Sequence, residues 1–264
     1  MPSLFVIKIG GNVLDDATAL HSFLADVATI NAPKILVHGG GKIATQIGNQ
    51  LGITSQYVGG RRITDAATIQ LVTMVYGGLI NKQLVAQLQS FGCNAVGLTG
   101  ADGNIMPAQK RSVTNVDYGF VGDVLVHDVN TSLLLSLIQQ GITPVFAPLT
   151  HDGAAQILNT NADTIASVLA AALSTHYKVR LMYCFEKNGV LQNIHDDESV
   201  VPLITPTIYH QMKTAGLLFD GMLPKIDNAF AAIQQGVHEV LIGHASNIIQ
   251  NTTHNIKGTL ITTS

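Results

Sequence analysis

Short apolar runs alternate along the chain with longer stretches in which apolar positions recur every three or four residues. Leu4-Phe5-Val6-Ile7 is unbroken and of strand length, the pattern of a strand covered on both faces. Residues 16–30 then show helical spacing, residues 34–38 form a second apolar run, and a helix is predicted over 42–51. This strand–helix–strand–helix rhythm builds a parallel sheet with helices on its faces. It continues as a helical stretch over 64–90, with Thr64 able to cap it and Gly77-Gly78 as its expected break. A strand at 94–98, a helix at 131–140 and a strand at 142–147 follow. A helix at 160–174, capped by Thr160 or Asn161, a strand at 178–183, helices at 205–215 and 223–235, and strands at 237–242 and 259–262 complete the series.

Residues 100–128 break the rhythm with turn signals at Asp102-Gly103-Asn104 and Tyr118-Gly119-Phe120, which predict antiparallel hairpins set on the parallel core. The rhythm shifts again near residue 175. The expected architecture is therefore α/β, an open, mainly parallel sheet flanked by helices (an αβα sandwich). It forms a single domain over 1–264, with a first lobe over about 1–175 and a second over about 176–264.

Composition narrows the function. Charged residues make up 12% of the chain, against about 25% in ordinary soluble domains, so neutral polar groups or a partner subunit must cover much of the surface. Apolar residues reach 47%, which excludes disorder. A net charge of −3 and only four arginines (Arg61, Arg62, Arg111, Arg180) argue against a nucleic-acid partner. No stretch approaches the roughly 20 apolar residues of a membrane span, and the start of the chain does not read as a signal peptide, so a cytoplasmic location is expected. Cys93 and Cys184 are too few for a disulfide scaffold. The ten histidines show no metal-binding spacing, no metal site is expected, and His38 reads as a packed or hydrogen-bonded residue rather than a base.

Candidate chemistry gathers at strand ends. Lys8-Ile9-Gly10-Gly11 closes the first strand and His38-Gly39-Gly40-Gly41 the second. In open α/β sheets ligands bind outside the carboxyl ends of the strands. Consecutive glycines there let backbone N–H groups approach an anion, and the following helix N-termini favour negative charge. Two such loops, one carrying a lysine, describe a phosphate cradle; tight turns are the plainer alternative. No Walker A string occurs. Gly39, Gly41 and Ala44 satisfy G-x-G-x-x-A, but the acidic residue about 20 positions on, Asp65, starts a helical stretch instead of ending a strand. That fit also leaves the first glycine pair unexplained.

Half of the arginines stand at Arg61-Arg62, and a guanidinium matches a carboxylate in a two-pronged fork. A solvated basic turn is the alternative. Asn159-Thr160-Asn161-Ala162-Asp163 sits at a strand–helix junction, where its polar groups either cap the helix or face a site. Asp220-Gly221-Met222-Leu223-Pro224-Lys225 opens an apolar helix. A lysine there opposes the helix dipole, which suggests a task such as contacting phosphate.

In order and over nearly the whole chain, these segments resemble the amino-acid kinase family, and within it the acylglutamate branch. The resemblance rests on Lys8-Ile9-Gly10-Gly11, His38 to Gly41, Gly60-Arg61-Arg62-Ile63-Thr64, Asn81-Lys82, Gly119-Phe120-Val121-Gly122-Asp123, Asn159 to Thr164, and Asp220-Gly221-Met222 with Lys225. It implies ATP with Mg²⁺ as phosphoryl donor and the γ-carboxylate of N-acetyl-L-glutamate as acceptor, an early step of arginine synthesis. It implies Lys8 and Lys225 as catalytic cations and Asp163 as their organiser. Gly10, Gly11, Gly40 and Gly41 would bind phosphoryl oxygens, and Gly39, Gly40, Arg62, Asn159 and Asn161 would hold the substrate. Nucleotide would lie over the second lobe and substrate over the first, in a homodimer formed through the first lobe.

The chain departs from the family at Cys184-Phe185-Glu186-Lys187-Asn188-Gly189, where Leu-[Thr/Ser]-Asp-x-x-Gly is usual. It also carries Lys42 after the glycines, where proline is common. With Arg61, that lysine leaves room for a more acidic acyl group such as succinyl. The resemblance implies an extra N-terminal helix in arginine-sensitive members, so with a first strand beginning by Leu4 no arginine feedback is expected. The alternatives are a sister kinase acting on carbamate, aspartate or glutamate, and a non-catalytic nucleotide-binding regulator.

Overall fold

The structure is a computed structural model that describes residues 1–193, 195–217 and 222–263. Its centre is one eight-stranded sheet. The strands are β1 (Ser3–Ile9), β2 (Lys34–Val37), β3 (Ala95–Leu98), β4 (Thr143–Phe146), β5 (Lys178–Phe185), β6 (Leu203–Ile204), β7 (Glu239–His244) and β8 (Thr259–Ile261). Their order across the sheet is β6-β8-β7-β5-β1-β2-β4-β3. From β7 to β3 all neighbours are parallel. β8 runs antiparallel to β7, and β6 pairs in parallel with β8. The sheet passes through residue 175 without a break, because β1 and β5 pair along the whole of β1.

The apolar runs behave as strands buried on both faces. On β1, Leu4 and Val6 pack with Ile165 and Leu169 of the helix Ala162–Leu173. Phe5, Ile7 and Ile9 pack on the other face with Leu20, Phe23 and Leu24 of the helix Ala17–Thr29. Among the described residues no helix is long and apolar enough to cross a membrane.

Several expected features differ. The helical stretch predicted from residue 64 is capped by Asp65, whose carboxylate accepts from the Thr68 N–H at 2.8 Å, while the Thr64 hydroxyl donates to Arg62 O at 3.3 Å. Gly77-Gly78 do not break it. The chain widens instead into a π-helix, Thr73–Ile80, between the α-helices Ala66–Val72 and Asn81–Ser90. Val75, Tyr76 and Ile80 are buried in that segment, and such packing outweighs the weak intrinsic preference of glycine. Residues 100–128 form one short antiparallel pair, Gln109–Lys110 with Gly122–Asp123, two 3₁₀ turns at Asp102–Asn104 and Val126–Asp128, and otherwise loops tied by single bridges. Two unforeseen hairpins stand above the carboxyl edge. Gln56–Val58 pairs with Arg61–Ile63 across Gly59-Gly60, both at positive φ (57 and 74), as a tight two-residue hairpin turn requires. Leu149–His151 pairs with Ile157–Asn159.

Candidate active site

Lys8 is the penultimate residue of β1, opposite Val37 and Tyr183. Strand alternation from Leu4 and Val6 aims it at the start of the helix Ala162–Leu173. That start is capped by the Asn161 side chain, which accepts from the N–H groups of Asp163 (2.8 Å) and Thr164 (3.2 Å). Asp163 occupies the first turn, where a carboxylate complements the helix dipole. Its Oδ1 is buried, has no aligned hydrogen-bond donor among the described residues and lies 2.8 Å from Lys8 Nζ, so the contact is an ion pair.

Lys225 comes from the first turn of the helix Met222–Gln234; Asp220 and Gly221 before it lie outside the described residues. Its ammonium sits 4.5 Å above the Phe185 ring. Lys8, Gly10, Gly11, Asp163, Glu186 and Lys225 line one hollow of about 190 Å³. Burial holds the Lys225 ammonium below the ordinary lysine range, opposed by the Asp163 carboxylate and reinforced by the Lys8 charge. Phe185 thus supplies an aromatic face for the Lys225 ammonium.

The glycines divide their tasks. Gly10 donates its N–H to Cys184 O at 2.6 Å, so that group is engaged, and its contribution is steric. A Cβ there would stand 2.9 Å from both Cys184 O and Phe185 Cβ. Gly11 opens the helix Gly11–Asp15, and a Cβ on it would meet no protein atom within 4 Å. Gly40 adopts φ 144, and a Cβ would collide with Ile80 and Tyr76. Gly41 opens the helix Gly41–Gln50, whose first N–H groups have no intrahelical acceptor.

Gly39, Gly40 and Gly41 line a second hollow of about 210 Å³ with Arg62, Asn159 and Asn161. The two hollows flank one helix start, Asn161 and Ala162 facing one and Asp163 the other. Arg62 is 7% exposed. Its Nη2 donates to Gly41 O (2.8 Å) and Thr45 Oγ1 (3.0 Å), its Nη1 to Ser55, and its plane lies over Tyr57 at 4.8 Å. Asn159 donates to Thr64 Oγ1 at 3.1 Å. The sequence reading missed Tyr57 and Arg111 on this wall. Arg111 is fixed by a fork to Asp123, a pairing without a sequence signal, because it depends on the pairing of two short strands. Lys42 is a correction: it bonds to Asn12 and lies 3.3 Å from Asp15, away from the walls of the second hollow. Arg61 lies on that wall, exposed, and among the described residues no side-chain hydrogen bond or ion pair engages it.

His38 is fully buried beneath the glycines, and burial lowers its pKa from 6.5 to about 4, slightly opposed by the hydrogen bond to Gly39. The unfolded chain therefore binds this proton more readily than the folded one. The resulting stability is complete above pH 6.5 and is lost as pH falls towards 4, by about 3 kcal/mol for a shift of this size. Urea unfolding followed between these limits should show that loss, and H38Q should show less of it.

Among the described residues no group of three or more His, Cys, Asp or Glu side chains converges to hold a metal ion.

The sequence matches the model of the amino acid kinase family over residues 3–244. It is 55% identical over 256 residues to an acetylglutamate kinase of Cytophaga hutchinsonii, covering 97% of this chain and 96% of that one. It is 53% identical over 261 residues to an acetylglutamate kinase of Parabacteroides distasonis, covering 99% and 100%. The fold superposes on N-acetylglutamate synthase from Neisseria gonorrhoeae, complexed with coenzyme A and N-acetyl-glutamate, with a TM-score of 0.83 at 20% identity. That match covers all of this chain and 60% of the other, and it is a likeness of fold.

Proposed function

The chain belongs to the amino acid kinase family, and we propose that it transfers the γ-phosphoryl group of ATP to the side-chain carboxylate of N-acetyl-L-glutamate, an early step of arginine synthesis. The observation that carries this reading is the Lys8–Asp163–Lys225 cluster set beside two glycine loops.

The chemistry needs little beyond what these residues offer. The attacking carboxylate is ionised at neutral pH, so no general base is required. The obstacle is repulsion between that carboxylate and a polyphosphate, and catalysis reduces to positioning and charge neutralisation. Lys8 and Lys225 neutralise charge from opposite elements of one hollow. Asp163 keeps the two ammonium groups from driving each other apart. The N–H groups of Gly11, Gly40 and Gly41 meet phosphoryl or carboxylate oxygens. Arg62, held flat by Tyr57 and Gly41, takes the α-carboxylate with Asn159, and Asn161 lines the same wall. ATP enters as its magnesium complex, with the ion carried by the phosphates.

In this reading substrate lies over the first lobe and nucleotide over the second. A homodimer formed through the first lobe accounts for the exposed Met74 and Leu79 on a chain with few charges, and the protein works in the cytoplasm. Arg61 favours a second acceptor. Unpaired among the described residues, it offers a guanidinium from this wall to an acyl group that ends in a carboxylate, as in N-succinyl-L-glutamate.

Coupled ADP release with hydroxylamine trapping of the acyl phosphate tests both acceptors. Turnover with the acetyl compound is expected. Faster turnover with the succinyl compound, lost in R61L, would establish the second acceptor, and no turnover with either would refute the kinase assignment.

A further inference from the structure

Asn81-Lys82 and the π-helix before it take no part in the chemistry above, yet they meet the glycine loop from below. Asn81 is 1% exposed. Its Nδ2 donates to Val145 O on β4 at 2.9 Å and to His38 Nε2 at 3.1 Å. Its Oδ1 accepts from Lys82 Nζ at 3.2 Å, and the same ammonium donates to Gly97 O at 3.1 Å. These partners fix which end of the amide is nitrogen, because a carbonyl oxygen can only accept and an ammonium can only donate. A Cβ at Gly97 would overlap Asn81 Oδ1, so β3 is notched to admit the side chain.

The amide donates to Nε2, so Nε2 carries a lone pair, and in the neutral ring the proton resides on Nδ1. Nδ1 lies 2.7 Å from Gly39 O, and the Nδ1–H bond holds that carbonyl inward. In a trans planar peptide the carbonyl and the next N–H point in opposite directions. Pinning Gly39 O towards His38 therefore turns the Gly40 N–H outward, into the hollow that Gly40 lines. The π-helix completes the clamp: its wider turn brings Tyr76 and Ile80 against Gly40, immediately before Asn81. Single π turns recur at functional sites for this kind of re-aiming.

We infer that Asn81 is a positioning residue that sets the tautomer of His38 and, through it, aims the Gly40 N–H at an anionic oxygen of the reactants. The inference rests on the kinase reading for what that N–H binds. It also explains why a motif about 40 residues downstream of the glycines belongs to the same device.

The experiment joins a tautomer measurement to kinetics. Imidazole-nitrogen NMR of the wild-type protein should show His38 protonated at Nδ1 and bare at Nε2. In N81D a carboxylate faces Nε2, which should acquire a proton. kcat should then fall about 10²-fold, the usual cost of one misaimed donor of this type, with the KM for ATP little changed and thermal unfolding still cooperative. N81A should lose rate without forcing the opposite tautomer. A wild-type His38 protonated at Nε2 overturns the inference even if no variant folds, as does an N81D protein of undiminished kcat with the proton at Nε2. Absence of any turnover in the wild type would count against the kinase reading and leave the tautomer result to decide this one.

Discussion

K8A is expected to lower kcat by about 10²–10³-fold, the cost of removing one preorganised charge partner from a developing anion. Lys8 is held by the central strand of the sheet on one side and by Asp163 at 2.8 Å on the other, so its ammonium does not need to be organised during the reaction. Removing it leaves Asp163 facing the incoming phosphates with one cation fewer, which adds repulsion to lost attraction. The loss should fall on kcat more than on the KM for the acceptor, because Arg62 and Asn159, which we propose hold the acceptor's α-carboxylate, line the neighbouring hollow. Steady-state kinetics with both substrates varied separates these effects. K8R should recover part of the rate, though its planar fork does not reproduce a compact ammonium.

D163A should be nearly as damaging, for a different reason. Asp163 is the stronger of two carboxylates, the other being Glu186, that oppose burial and Lys8 in setting the state of Lys225. Without it the Lys225 pKa falls further. In the proposed mechanism Lys225 acts as the ammonium form, so the alkaline limb of kcat/KM for ATP should move to lower pH in D163A and D163N alike. At neutral pH the rate should drop roughly 10²-fold as the two lysines separate. The pH profile is the discriminating readout, since a purely structural role for Asp163 would lower the rate without moving the limb.

The sheet was legible because its evidence is local. An apolar run such as Leu4–Ile7 has no exposed face to alternate with, and the glycines that end β1 and β2 mark where the chain leaves the sheet. Lys8, Gly11, Asp163 and Lys225 were legible as a set through family-like spacing, and the structure brings them to one hollow. What escaped the sequence was relational. The π-helix at 73–80 depends on Tyr76 and Ile80 fitting under Gly40, so Gly77-Gly78 looked like a break. Arg111 joins the wall of the second hollow only because Gln109–Lys110 pairs with Gly122–Asp123. Lys42, adjacent to the glycines in sequence, lies away from the second hollow because helix geometry turns it towards Asp15 and Asn12.

The central claim is that Lys8 and Lys225 act on one phosphoryl group through one shared carboxylate. A double-mutant cycle in kcat, comparing K8A, K225A and the double variant, tests it most directly. Residues joined through one ionic network couple by about 0.5–3 kcal/mol, so the double variant should be clearly less impaired than the product of the two single losses. Strictly multiplicative losses, with zero coupling, would place the two lysines in separate tasks and contradict the account.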